Sequence, residues 1–170
     1  QELSVAHSLR PFLETALRSS KRFIPVQSAT LFLTGEDDGS MLRVGLVQDD
    51  LGTVIHGELA VVRIRDVRVG IAGSCLSSKQ PATVQDTTSN ADFDPTVDGA
   101  PGYVVRNVLC APVAGSSGRL LGAIQLCNRV TPGGSQRDFG TDDLRALVVF
   151  SRIMASPLER LLTIQGFFER

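Results

Sequence analysis

Leu109-Cys110-Ala111-Pro112-Val113 and Leu120-Leu121-Gly122-Ala123-Ile124-Gln125-Leu126-Cys127-Asn128, joined by Ala114-Gly115-Ser116-Ser117-Gly118, form the stretch on which the fold turns. Short apolar runs bounded by Gly and Ser read as strands, and the segment between them is turn chemistry. Downstream, Thr141 reads as an N-cap before Asp142-Asp143, whose charges suit a helix N-terminus. Leu144, Leu147, Val148, Met154, Leu158, Leu161 and Leu162 then keep helical spacing, giving a last helix over about 141–164 that Pro157 should bend.

Upstream, Ala29-Thr30-Leu31-Phe32-Leu33 is rich in β-formers and runs into the turn Gly35-Glu36-Asp37-Asp38-Gly39. Met41 to Val47 alternates, with Leu42, Val44 and Leu46 on one face, so the two segments predict an antiparallel hairpin. A third strand falls within Val54 to Ile64, its limits blurred by Gly52 and Gly57. Leu9, Phe12, Leu13, Ala16 and Leu17 make one helical stripe, predicting a first helix over about 5–23. Ser8 would cap it, with Pro11 in the first turn where its missing N–H is not needed; the alternative is a kink near Pro11 joining an earlier turn. The order is helix, three strands, a mixed region, two strands, helix. It predicts an α+β sheet whose terminal helices cover one face.

The mixed region, Pro81 to Asn107, is rich in Asp, Thr, Ser, Asn, Gly and Pro, yet carries Phe93, Val97, Tyr103 and Val104. A long irregular segment inside a domain is usually a lid, a binding loop or disorder, and the embedded apolar residues favour a lid. Asp86, Asp92, Asp94 and Asp98 within it read as caps and turn residues of short helices. They lack the spacing of a calcium loop.

Composition narrows the function classes. The 170 residues are 42% hydrophobic and 21% charged, with a formal net charge of −1. No basic excess draws the chain to nucleic acid or an anionic membrane. Its longest apolar runs, such as Ala146 to Phe150, are far too short to span a bilayer. Cys75, Cys110 and Cys127 show no Cys-x-x-Cys spacing, and their odd number suggests a reducing, cytoplasmic compartment rather than a disulfide framework. His7 and His56 have no partners at metal-ligand spacing, so no metal site is expected. The chain starts at Gln1 without a signal-peptide pattern and reads as one domain, residues 1–170, of a multidomain protein.

Gly70-Ile71-Ala72-Gly73, Val84-Gln85-Asp86, Phe93-Asp94-Pro95-Thr96-Val97-Asp98, Gly102-Tyr103 and Arg106-Asn107-Val108-Leu109-Cys110-Ala111-Pro112-Val113 follow one another in an order that resembles the GAF family. Gly118-Arg119-Leu120-Leu121-Gly122-Ala123-Ile124-Gln125-Leu126-Cys127-Asn128-Arg129 and Phe139-Gly140-Thr141-Asp142-Asp143-Leu144 continue the match. The likeness is greatest to the regulatory GAF domains of cyclic-nucleotide phosphodiesterases and adenylyl cyclases. It implies a central antiparallel sheet of about six strands, terminal helices behind it and a pocket of loops and short helices in front.

The resemblance also implies a ligand site for cAMP or cGMP, with no further cofactor. In binding members the phosphate meets backbone N–H groups and helix N-termini, which need no arginine cluster. Carried over by position, Thr30 stands for a hydroxyl that meets the base, and Gln48 for a residue at the base edge. Ile71 and Ala72 form the backbone beside the ligand. Phe93, Asp94, Val97, Pro101 and Val105 belong to the lid, where Pro101 and Val105 replace two hydroxyl positions and offer no side-chain hydrogen bond. Arg129 with Asp142 or Asp143 corresponds to a structural salt bridge away from the ligand. The Gly70–Gly73 run is expected to permit tight packing before a short helix starting near Ser74.

Three functions follow as expectations. The first is a ligand-sensing regulatory domain that is not itself an enzyme. The second is a ligand-free module forming a homodimer through its terminal helices, with Phe167 and Phe168 on the contact surface. The third is an enzyme like the small GAF proteins that reduce free methionine sulfoxide. That chemistry needs a pocket thiolate and a resolving thiol, whereas Ala72 stands at the family's cysteine position and Cys75 has no partner evident in the sequence.

Overall fold

The computed structural model describes residues 2–34, 41–47, 60–64, 66, 68–99 and 104–164. The hairpin that opened the sequence reading is β5 (Val108–Ala114) and β6 (Leu120–Arg129). Its turn closes through Gly115 N–H to the Arg119 carbonyl at 2.8 Å and Gly118 N–H to the Gly115 carbonyl at 3.0 Å. β6 also pairs with β1 (Val26–Leu33), which pairs in turn with β2 (Met41–Val47). β3 (Ala60–Ile64) and β4 (Ala82–Val84) complete an antiparallel sheet of order β3-β2-β1-β6-β5-β4. β1 and β6 are therefore central, which is why β6 is buried along nearly its whole length. A Cβ at Gly122 would lie 1.7 Å from the Phe32 carbonyl oxygen, so only glycine allows β6 this approach to β1.

Strand side chains alternate between faces. Ala29, Leu31 and Leu33 of β1, with Leu109, Ala111 and Val113 of β5, face the back of the sheet. There they meet Leu9, Leu13 and Leu17 from α1 (Glu2–Phe23) and Leu147, Met154, Leu158 and Leu162 from α4 (Thr141–Ile164). Burying one such leucine contributes about 1.5–3 kcal/mol. On the front face, Phe32, Val108, Cys110, Ala123 and Cys127 pack against α2 (Gly70–Ser78) and against Val97 of α3 (Pro95–Asp98).

Several boundaries differ from the sequence reading. α1 begins at Glu2 rather than near residue 5, so Ser8 is an interior residue and not its cap. Pro11 likewise lies inside the helix rather than in its first turn. The buried stripe Leu9, Leu13, Ala16 and Leu17 offsets the hydrogen bond that proline removes. β1 starts at Val26, three residues before the expected Ala29. α2 begins at Gly70 and not near Ser74.

The cap of α4 is Gly140 rather than Thr141. Its carbonyl accepts the Leu144 N–H at 3.2 Å, and its N–H donates to Asp143 Oδ2 at 2.8 Å. α4 continues through Pro157. Gln48, His56, Pro101, Gly102, Tyr103, Phe167 and Phe168 lie outside the described residues.

Candidate functional site

The front face brings together most of the residues singled out for ligand binding. Ile71 and Ala72 form the first turn of α2, and Val97 comes from α3. Val105 enters from the segment leading to β5. All four are buried in one cluster, with Phe93 packed against it. Thr30, half-buried on β1, sits opposite Gln125 of β6 on one side and Gly45 of β2 on the other.

Asp94 acts as the cap of α3. Its Oδ1 accepts from Thr96 N–H at 2.9 Å and from the Thr96 hydroxyl at 2.6 Å. Asp86 does the same for the 3-10 turn Thr87–Ser89, accepting from Thr88 N–H at 3.0 Å. Hydrogen bonds from these threonines hold both carboxyls below the usual range.

Asp98 behaves differently. Its carboxylate lies on the N-terminus of α2, where Ile71 N–H points at both oxygens, 3.1 Å from Oδ1 and 3.0 Å from Oδ2. Asp94 N–H donates to Oδ2 at 2.9 Å. The nearby Ala72 N–H and Gln125 amide also favour the charged carboxylate. A helix N-terminus carries unpaired donors and partial positive charge, which is why it holds anions. Burial nevertheless outweighs these donors and pushes the Asp98 carboxyl up from its ordinary value. Gly70 makes the contact possible, since at φ +83 a Cβ there would lie 2.9 Å from both Asp98 oxygens and from Val97 Cγ1.

Two residues that sequence reasoning missed complete the site. Arg43 of β2 donates through Nη1 to the Val97 carbonyl at 2.7 Å, the Gly99 carbonyl at 2.8 Å and the Thr96 carbonyl at 3.3 Å. It caps the C-terminal end of α3 and fixes the helix bearing Asp98 to the sheet. Nothing in the alternation of Met41 to Val47 marks it. Gln125 is 1% exposed, and its Oε1 has no hydrogen-bond partner among the described residues. A signal for it exists, because it is the one amide within the apolar run Leu120 to Cys127.

The three cysteines are all buried on this face. Cys75, without a partner in the sequence, lies beside Cys110. That contact, with burial, pushes the Cys110 thiol well above its ordinary value, and burial pushes Cys127 up to about 12. Both are therefore protonated near neutral pH.

Away from this cluster, Arg129 pairs with Asp143 and not with Asp142. Nε lies 3.0 Å from Oδ2 and Nη2 lies 3.2 Å from Oδ1. Both residues are buried, whereas the Asp142 side chain is fully exposed. Arg129 also donates to the Pro25 and Val130 carbonyls, so one guanidinium joins the end of β6, the entry to β1 and the start of α4. Asn128 beside it, at φ +63, accepts from Arg106 N–H at 2.7 Å and donates to the Val104 carbonyl at 2.7 Å.

A family model described as GAF domain matches residues 6–159. The cGMP-specific 3',5'-cyclic phosphodiesterase of Drosophila erecta is 28% identical over 86 residues, which is 51% of this chain and 8% of that protein. Among solved structures, the GAF domain from an Acinetobacter phosphoenolpyruvate-protein phosphotransferase aligns with a TM-score of 0.66 at 11% identity, over 96% of this chain and 98% of that one. The type II free methionine-R-sulfoxide reductase from Thermoplasma acidophilum aligns with a TM-score of 0.65 at 15% identity, over 94% and 96%. At those identities the two structures speak to the fold alone. This chain spans less than a tenth of the curated relatives it matches. Among the described residues no helix is long and apolar enough to cross a membrane.

Proposed function

The chain belongs to the GAF domain family, and on that premise we propose that it is a regulatory domain sensing a small anionic ligand, with cAMP or cGMP the specific candidate. The observation that carries this reading is the Asp98 carboxylate on the N-terminus of α2. The same donors suit a phosphate, and Asp98 holds their place from within the chain. Gln125 Oε1, buried without a donor among the described residues, is a second group that a ligand N–H or O–H would satisfy. Ligand entry displaces Asp98 and with it α3, which Arg43 couples to β2. The likeness to cyclic-nucleotide phosphodiesterases supports the choice of ligand. Ile71, Ala72, Phe93, Asp94, Val97 and Val105, with Thr30, Gln48 and Pro101, would line the site.

A thermal-shift titration with cAMP, cGMP and AMP tests the proposal. Ligand at 100 times its Kd adds about 2.7 kcal/mol to the folded state. That raises the Tm of a domain this size by about 5–10 °C. A shift for one cyclic nucleotide and not for AMP is the expected result, and no shift with either at millimolar concentration sinks the reading.

Exposed apolar residues favour a second reading, homodimerisation through the terminal helices. Phe23 on α1 and Val149, Ile153 and Ile164 on α4 are 71%, 53%, 67% and 76% exposed. Sedimentation of the wild type against a Val149→Glu, Ile153→Glu variant decides it, with a dimer expected for the first and a monomer for the second. A catalytic reading like that of the sulfoxide reductases is disfavoured by the burial of all three thiols and by the raised values of Cys110 and Cys127.

A further inference from the structure

A separate cleft of about 320 Å³ opens where the connection from β6 to α4 passes the start of β5. It is lined by Gln85, Arg106, Asn107, Gln136, Arg137 and Asp138. Its volume lies near the lower end of small-molecule pockets, which run from about 300 to 1,000 Å³. None of the residues singled out for the front-face site lines it.

The cleft is rigidly built. Gln85 clamps the Phe139 backbone, donating from Nε2 to its carbonyl at 2.8 Å and accepting its N–H at 3.0 Å. Asn107 Nδ2 donates to the Arg137 carbonyl at 2.9 Å, and Arg137 N–H donates to the Arg129 carbonyl at 3.0 Å. The connecting turn closes on itself through Thr131 N–H to Ser135 and Gly134 N–H to Thr131, each at 2.8 Å. Backbone bonds to Asn128 and Thr87 hold Arg106 in place.

Two arginines therefore line one cleft from fixed backbones. Neither has a salt-bridge partner among the described residues, and the buried Nη2 of Arg106 has no hydrogen-bond acceptor there. A cationic donor left unmade is costly, so an acceptor that reaches Arg106 through the cleft is favoured. Guanidinium forks match the paired oxygens of phosphate and carboxylate groups. Asp138, the single acid in the lining, opposes an anion and limits how tightly it is held.

The geometry points to a second ligand site in this cleft, for a compact polyanion carrying phosphate or carboxylate groups, gripped by Arg106 and Arg137. Because this site shares no residue with the front face, it stands or falls independently of cyclic-nucleotide sensing.

Calorimetric titration with inorganic pyrophosphate and, separately, with citrate tests it in low-salt, metal-free buffer. Saturable binding of at least one probe is expected, and the tighter of the two names the chemistry. Arg137→Gln and Arg106→Gln should each weaken that binding about tenfold or more, as loss of a charge-assisted contact does. Arg137 is exposed, so its variant keeps the test valid should the Arg106 variant fail to fold. Asp138→Asn should tighten binding several-fold. Arg152→Gln, an exposed arginine on α4, controls for net charge and should leave it unchanged. Absence of saturable binding by both probes at millimolar concentration overturns the proposal. So does an affinity that Arg137→Gln leaves intact, or one that Arg152→Gln lowers equally.

Discussion

The two faces of the sheet are built from the same strands but on different terms. Behind it, α1 and α4 cover a continuous apolar layer in which Leu9, Leu13, Leu17, Leu147 and Leu158 are fully buried. In front, a smaller apolar cluster surrounds a buried carboxylate, three thiols and a buried amide whose acceptor is unmet among the described residues. A fold maximising stability alone would not put Asp98 and Gln125 there, because each buried polar group must be matched or costs free energy. The back face supplies the stability that such a front face consumes. Groups held against their preference are thus concentrated in front.

The largest effect should come from the charged pair where α4 meets the sheet. Arg129→Ala leaves Asp143 buried without its cation and should lower stability by about 3–5 kcal/mol, read as a drop in Tm or denaturation midpoint. Asp142→Ala, on a fully exposed side chain, should change it by less than about 0.5 kcal/mol. Equal effects from the two would break the assignment of the pair to the back face's stability.

A smaller effect, opposite in character, is expected from Asp98→Asn. The raised Asp98 pKa means that the native state binds this proton more tightly than the unfolded chain does. Its contribution to stability is therefore fully present below the unfolded value of about 3.9 and falls as pH rises through the higher folded value. A neutral isostere should then cost less at pH 7 than near pH 3, leaving stability at pH 7 close to that of the wild type. Asp86 and Asp94 run the other way, since their lowered values give stability that is lost as pH falls. The test is thus the variant's stability minus the wild type's across pH 3–7, which should rise with pH. A loss of several kcal/mol at pH 7 would instead make Asp98 a stabilising anchor like Arg129 and erase the contrast between the faces.

The same contrast explains what the sequence disclosed. Element types on the back face are legible because period and burial agree, as in Leu9, Leu13 and Leu17 or Leu144, Leu147 and Leu158. The family motifs also named Ile71, Ala72, Val97 and Val105, which fold into one buried front-face cluster. What stayed hidden is long-range. Asp98 reads locally as a turn residue, and only folding brings it to Ile71, 27 residues away. Arg43 reaches the α3 carbonyls from 53 to 56 residues upstream. Gly70 to Gly73 misled because glycine signals a break, whereas here Gly70 opens a helix on a backbone angle that accommodates Asp98. Choosing Asp143 over Asp142 needs the phase of α4 relative to β6, which spacing alone does not set.

The smallest effect probes whether the back face is free of strained charge. Lys21, near the C-terminal end of α1, donates from Nζ to the Gln27 carbonyl at 3.3 Å, and burial lowers its pKa to about 8. Between that value and the unfolded one of about 10.4, the native state binds fewer protons than the unfolded chain. Stability should rise with pH through this window, being fully gained above the unfolded value and lost as pH falls through about 8. Because the amine is partly exposed, solvent screening holds the effect to about 2 °C or less in Tm. Lys21→Met should abolish the rise while keeping the α1 stem packed, since methionine retains most of the apolar length. A rise that persists in the variant would move its origin to another titrating group and leave the back face without a charge held against its preference. The division between the two faces would then be sharper than Lys21 now allows.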